Sequence, residues 1–344
     1  MTVLQSAALP GLKAHNPLGF LAACGLLRSC AMSPVFGLAR LAWIEEPGEG
    51  GFIATLSGET ESSINPLRCK PNPDVQGLTQ LLNRRCEQQI TSPALTWSSK
   101  IKDDPQKFRD AAQQLLEPGR MPHDETCDRL QMFSALASDL ITDEKMLRST
   151  MLDLTSGNQR LLKSIRAVAG ERESGDGNNQ LLSEEAVREA LFGPWQYRDD
   201  HHALGWDPST QRLHALRHKL PEQDKTNRSV RAAVFLASQA LPLFPCFAVG
   251  RKLRTTAFHR YEDHDWFAWP IWRDPISLET LQSLLVQAFT ADLKHRGVEI
   301  VYRCRRVRTG GAEGNYQVFS HVQQRPWPQR RKRRDDSVKR RRSY

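Results

Sequence analysis

Two stretches of the chain hold the residue types that bind divalent metals. Asp199, Asp200, His201 and His202 stand together in "YRDDHH", with His214 and His218 following in "QRLHALRHK", and "YEDHDW" holds Asp263, His264 and Asp265. Carboxylates and imidazoles so grouped could hold a metal ion that activates water, the chemistry of a metal-dependent nuclease. The local patterns argue against it. After the Trp206-Asp207-Pro208 turn, "RLHALRHK" reads as a strand, and residues four apart on a strand are about 13 Å apart, too far for one ion. The His264-Asp265 pair stands before "FAWPIW", where Pro270 favours a loop or edge strand over a ligand-bearing helix. There is no H-E-x-x-H, no phosphate-binding G-x-x-x-x-G-K-[ST] and no G-x-S-x-G, so no metal, cofactor or catalytic residue is expected. The seven cysteines, Cys24, Cys30, Cys69, Cys86, Cys127, Cys246 and Cys304, are odd in number and form no C-x-x-C, which argues against a disulfide framework or a zinc ribbon.

Cations offer a second chemistry, the binding of phosphate. In "TSGNQRLLKS", Gly157 and Asn158 precede a helix whose N-terminal N–H groups could face a phosphate flanked by Lys163 and Arg166. The plainer reading makes the last two the solvated face of an amphipathic helix. Arg228 and Arg231 open a later helix, "GRKLRTTAFHR" interleaves Arg251, Lys252, Arg254 and Arg260 with hydroxyls and Phe258, and "IVYRCRRVR" places Arg303, Arg305 and Arg306 on a basic strand. Arginine forks and threonine hydroxyls suit phosphates, and an exposed aromatic could stack or wedge. The net charge of +9 is unevenly distributed. Residues 325–344, including Arg331, Lys332 and Arg333, carry ten Lys/Arg and two Asp, or +8, which leaves +1 for the rest. So basic and apolar-poor a tail cannot fold alone and is expected to be a disordered arm that adheres to polyanions.

These residues must be positioned by elements that the apolar pattern predicts. Asn16 and Pro17 form a helix start, and Leu18, Leu21, Ala22, Gly25 and Leu26 then share one face. The glycines of this helix suit close approach to another backbone. "GLARLAWIE" and "GFIATLSG" read as a β-hairpin, so the chain opens as helix then hairpin. Between 75 and 190, "DVQGLTQLLNRRCEQQI", "DPQKFRDAAQQLL", "CDRLQMFSALASDLI", "NQRLLKSIRAVAG" and "SEEAVREALF" read as helices, and "GERESGDGNNQ" as a loop. A mixed region follows, with "SVRAAVFLASQAL" helical, "PLFPCFAVG" a Pro-rich turn, "SLETLQSLLVQAF" helical and "IVYRCRRVR" a strand. The fold class is α+β, divided into an N-terminal α+β region over 1–100, a mainly helical region over 101–190, a mixed region over 191–322 and a basic tail over 323–344. No stretch is long and apolar enough for a membrane span or shaped like a signal peptide, so no membrane partner and a cytoplasmic location are expected.

Three stretches together carry a resemblance to a known family. "LPGLKAHNPLGFLAACGLLR" with "LARLAWIEE", "GWDPSTQRLHAL", and "RAAVFLASQALPLFPCF" leading to "LRTTAF" and "WPIW" resemble the large-subunit-like component, in its short variants, of type I CRISPR (Cascade) effector complexes. The resemblance covers scattered segments between about 20 and 322 and omits the tail. It implies a non-catalytic subunit of an RNA-guided assembly whose partners are CRISPR RNA, target DNA and other effector subunits, with the nuclease a separate protein. It carries no functional residue over to a numbered position.

Overall fold

The computed structural model of the chain describes residues 5–58, 75–116, 123–141, 145–155, 160–172, 179–201, 203–209, 228–289, 293–311 and 314–325. The fold is mixed α+β. It opens with β1 (Gln5–Lys13), α1 (Pro17–Ala31), β2 (Arg40–Glu45) and β3 (Phe52–Gly58), the strands forming an antiparallel sheet in the order β1-β3-β2. The expected helix-then-hairpin start is thus corrected to strand, helix, hairpin. β1, "QSAALPGLK", has no β-branched residue and contains Pro and Gly, so propensity does not announce it; pairing with β3 makes it a strand.

α1 begins as its sequence predicts, with the Asn16 side chain accepting a hydrogen bond from the Leu18 N–H at 2.9 Å. Instead of burying one face, it is buried on all sides from Pro17 to Cys30. Phe20 stacks on Trp43 with ring centroids 6.0 Å apart and meets Trp269 at 5.8 Å. On the other flank lies α8 (Arg231–Gln239), so close that a Cβ at Gly25 would stand 1.7 Å from the Leu236 carbonyl oxygen.

The middle of the chain forms α2 (Val75–Ile90), α3 (Pro93–Thr96), α4 (Pro105–Leu116), α5 (His123–Leu136), α6 (Leu161–Ala169) and α7 (Glu184–Phe192). α7 is capped by Ser183, whose Oγ accepts from the Ala186 N–H at 3.1 Å. α5 begins before "CDRLQMFSALASDLI" and ends short of it, because the chain turns after Leu136 into β4 (Ala137–Ile141), which pairs with β5 (Leu147–Ser149). Distant donors stop the helix. Cys246 Sγ donates to the Ala135 carbonyl at 3.3 Å and the Thr150 N–H to that of Leu136 at 2.8 Å, taking acceptors a continuing helix would use.

The second half holds a short hairpin, β6 (Cys246–Val249) with β7 (Lys252–Thr255), and a larger antiparallel sheet of β8 (Phe258–Tyr261), β9 (His264–Trp272), β10 (Val298–Gly311), β11 (Gly314–Phe319) and β12 (Gln323–Gln324). Its order is β11-β10-β9-β8, with β12 also on β10. "PLFPCFAVG" is a turn only in its first half, where Leu241–Leu243 make one 3-10 turn; from Cys246 it is β6. Pro270 lies where β9 pairs with β10 alone, since β8 reaches only to Phe267, as its missing N–H requires. α9 (Leu278–Val286) follows β9, Ser277 Oγ accepting from the Thr280 N–H. Gln323 and Gln324, expected at the root of the tail, instead extend this sheet. One apolar core, from Leu9 to Phe319, runs through most of these elements, with no residue from β6, β7 or β12, and a smaller cluster of Ala268, Leu293, Val298 and Val301 lies beside it. Among the described residues no helix is long and apolar enough to cross a membrane.

Candidate nucleic-acid interface

The β6–β7 hairpin builds one wall of a cleft. Its register sets Phe247 opposite Arg254 and Val249 opposite Lys252, so all four side chains share a face. Phe247 and Val249 are 48% and 54% exposed there. The base of the hairpin is anchored, Thr255 Oγ1 accepting from the Met151 N–H at 3.0 Å. Lys252 and Arg254 then line a cleft of about 760 Å³ with Lys102, Arg148, Arg260 and Arg306. Two carboxylates, Asp263 and Asp265, stand against these six cations, and both lie 3.6 Å from Arg260. The cleft is therefore a concentration of positive potential on a body that is close to neutral.

Arg306 is a fixed part of this wall, its Nη2 donating to the Asp153 carbonyl at 2.8 Å. Alternation along β10 splits the basic run of that strand. Arg305 pairs with Trp266 and Arg303 with Ala268 on one face of the sheet, and Arg306 points to the other, the cleft side. The sequence singles out Lys252, Arg254, Arg260 and Arg306; Lys102 and Arg148, far away in sequence, are brought in only by tertiary packing and have no local signature.

Other nominated residues have different work. Arg231 is only 5% exposed; its Nε donates to the Val168 carbonyl at 2.9 Å and its Nη2 to that of Gln180. Burial lowers its pKa. It ties α6 and the segment before α7 to α8, and its role as a phosphate ligand is corrected to a structural one. Arg166 is likewise committed, through Nε to both oxygens of Glu171 at 3.0 and 2.9 Å and through Nη1 to the Leu95 carbonyl. Lys163 and Arg228 are exposed away from the cleft walls, and Arg251 is exposed at the β6–β7 turn. Gly157, Asn158, Arg331, Lys332 and Arg333 lie outside the described residues.

The acidic and histidine-rich stretches are also accounted for locally. Asp199 caps α8, its Oδ2 accepting from the Arg231 N–H at 2.7 Å, and its backbone bridges to Ser229. His201 is half-buried, and burial followed by the Arg231 charge lowers its pKa. His202, His214 and His218 lie outside the described residues, as does the strand expected over "QRLHALRH". Among the described residues no three His, Cys, Asp or Glu side chains gather as a metal site. In the "WDP" turn, Trp206 is fully buried and donates from Nε1 to the Leu152 carbonyl at 3.0 Å. Asp207 accepts from the Ser209 N–H at 2.9 Å, as expected of an Asx turn, and also from Asn16 Nδ2 at 3.1 Å and the Tyr197 hydroxyl at 3.0 Å.

No family model, no curated protein and no solved structure matches the chain.

Proposed function

We propose that this chain is a non-catalytic, cytoplasmic subunit of a type I CRISPR interference complex, which holds nucleic acid in the basic cleft and contacts other subunits of the assembly. The observation that carries the reading is the convergence of Lys252, Arg254 and Arg306 with Lys102, Arg148 and Arg260 on one cleft. Guanidinium forks and ammonium groups in a concave wall, with an exposed Phe247 beside them, suit a phosphate chain and its bases. The family resemblance supplies the biological setting. The segments that carry it also pack on one another: α1 lies against α8 at Gly25, Asn16 reaches Asp207, Trp269 Nε1 donates to the Ala14 carbonyl at 2.8 Å and Trp272 Nε1 to that of Leu41 at 2.8 Å. In such an assembly base pairing reads the target while this subunit contributes backbone contacts, and cleavage belongs to another protein.

The cleft is tested by replacing Lys102, Arg148, Lys252 and Arg254 with Gln together in the full chain and measuring affinity for single-stranded RNA and duplex DNA against salt. None of the four side chains makes a hydrogen bond or ion pair among the described residues, so the fold should tolerate the change. Affinity should fall by at least about tenfold at moderate salt, with a shallower salt dependence. Unchanged affinity and slope would remove the cleft from the account.

A further inference from the structure

A second group of unpartnered donors lies on the opposite face of the β8–β12 sheet. Trp266 is only 9% exposed, and its indole N–H has no hydrogen-bond partner among the described residues. The Arg303 guanidinium lies 4.3 Å from its ring centroid and that of Arg305 5.7 Å. The Nε–H groups of both arginines are also buried, without a partner among the described residues. Neither arginine has a carboxylate at ion-pair distance among the described residues; Arg305 only approaches His264 Nε2, at 3.5 Å. Buried N–H donors left unmatched are uncommon in native proteins, and three around one ring, with two cations on it, mark a place that lacks an anion.

The neighbourhood strengthens the imbalance. β12 pairs with β10 at Tyr302 and Arg303, which brings Arg325 alongside. Arg325 is pinned, donating from Nη1 and Nη2 to the Ala288 and Phe289 carbonyls at 2.9 and 2.8 Å. Burial and then the charge of Arg303 lower its pKa. The smaller apolar cluster of Ala268, Leu293, Val298 and Val301 fills the adjoining part of this face and stops short of Trp266. The indole holds the two guanidinium planes by cation–π contact and so presents their edges as a preformed fork.

We propose that Trp266, Arg303 and Arg305 form a phosphate-binding site, separate from the cleft and on the other face of the same sheet. Two guanidinium forks and the indole N–H would share the oxygens of one phosphate group, a charge-assisted arrangement that supplies the acceptors these donors lack. The inference rests on the nucleic-acid reading only for the source of the phosphate, which is either a nucleic-acid backbone or a free phosphate compound.

The test uses the full chain labelled with 15N in its tryptophans. The Trp266 indole resonance is identified by its loss in Trp266→Phe, and its shift is followed during titration with inorganic pyrophosphate and, separately, with a short single-stranded oligouridylate. A saturable shift with both supports the site and assigns it to a nucleic-acid backbone; a shift with pyrophosphate alone supports the site and assigns it to a free phosphate compound. The Arg303→Gln/Arg305→Gln variant should weaken the response by about tenfold or more. Arg303→Lys/Arg305→Lys keeps the charge, guards against a folding artefact, and should recover only part of it. No shift with either probe in the wild type, or a full response in the Gln variant, overturns the proposal. So does loss of the response in Lys252→Gln/Arg254→Gln, because that would make the two sites one; failure of the cleft alone leaves this response intact.

Discussion

Single residues on this scaffold act far from their sequence neighbours. Asp207 is buried and takes hydrogen bonds from Asn16, Tyr197 and the Ser209 N–H and hydroxyl, the last at 2.6 Å. Asp207→Ala strands these donors and should cost about 3 kcal/mol, read as a lower urea midpoint with an unchanged m-value. The Asx turn was legible in "WDP"; the tie to Asn16, which joins the turn to the cap of α1, was not, since nothing local encodes it. Asp128 accepts from Arg28, which is buried, and from Arg85. Burial pushes its pKa up, and the two guanidiniums more than offset that, holding it below the usual carboxylate range. Its folded pKa is thus depressed, so its stabilisation is complete above the unfolded carboxylate pKa of about 3.9 and is lost as pH falls through the lower folded value. Asp128→Asn should cost about 3 kcal/mol at neutral pH and flatten the fall in stability below about pH 4, both measurable by urea unfolding at several pH values. A steeper acid limb in the variant would contradict the assignment.

At the scale of elements, the helices with periodic apolar positions were legible: α1 from its Asn16-Pro17 start, α7 from "SEEAVREALF" and α9 from "SLETLQSLLVQAF". The elements that went unread are those decided by partners. β1 is a strand because β3 is beside it, and α5 ends where Cys246 and Thr150 claim its last carbonyls. α1 looked one-sided because periodicity picks out one row of positions, which includes the Gly25 that admits α8, whereas Phe20 on another row is buried against Trp43 and Trp269 and even Arg28 is buried on Asp128. Gly25→Ala would drive a methyl into the Leu236 carbonyl. Backbone cannot yield as a side-chain tip does, so this substitution should cost about 3 kcal/mol or more, seen as a large drop in thermal midpoint. A change near zero would mean that α1 and α8 can separate without penalty.

At the scale of the molecule, charge is arranged in three places: the tail, the cleft and the Trp266 face. The sequence located the tail by composition and the strand cations by their run in "IVYRCRRVR". It missed the cleft, because Lys102 and Arg148 come from regions the local pattern treats as unrelated, and it counted Arg231 as a ligand because burial of a cation is invisible in composition. Counterion release makes these places separable. With single-stranded RNA, removing the charge of the four cleft cations Lys102, Arg148, Lys252 and Arg254 should reduce the magnitude of the log–log salt slope by about 3, at roughly 0.7 for each phosphate no longer neutralised. Truncation after Arg325 should lower affinity for every sequence alike while preserving the difference between wild-type and cleft-variant bodies.

The most direct test of the account is to purify the tagged full-length chain and its Lys102→Gln/Arg148→Gln/Lys252→Gln/Arg254→Gln variant from the native host at moderate and high salt, sequence the RNA that accompanies each, and identify the bound proteins. Discrete repeat-derived RNAs with a fixed set of protein partners, retained at high salt by the wild type and diminished in the variant, are the predicted result. Heterogeneous RNA that washes off with salt equally from both, with no constant partner, would contradict it.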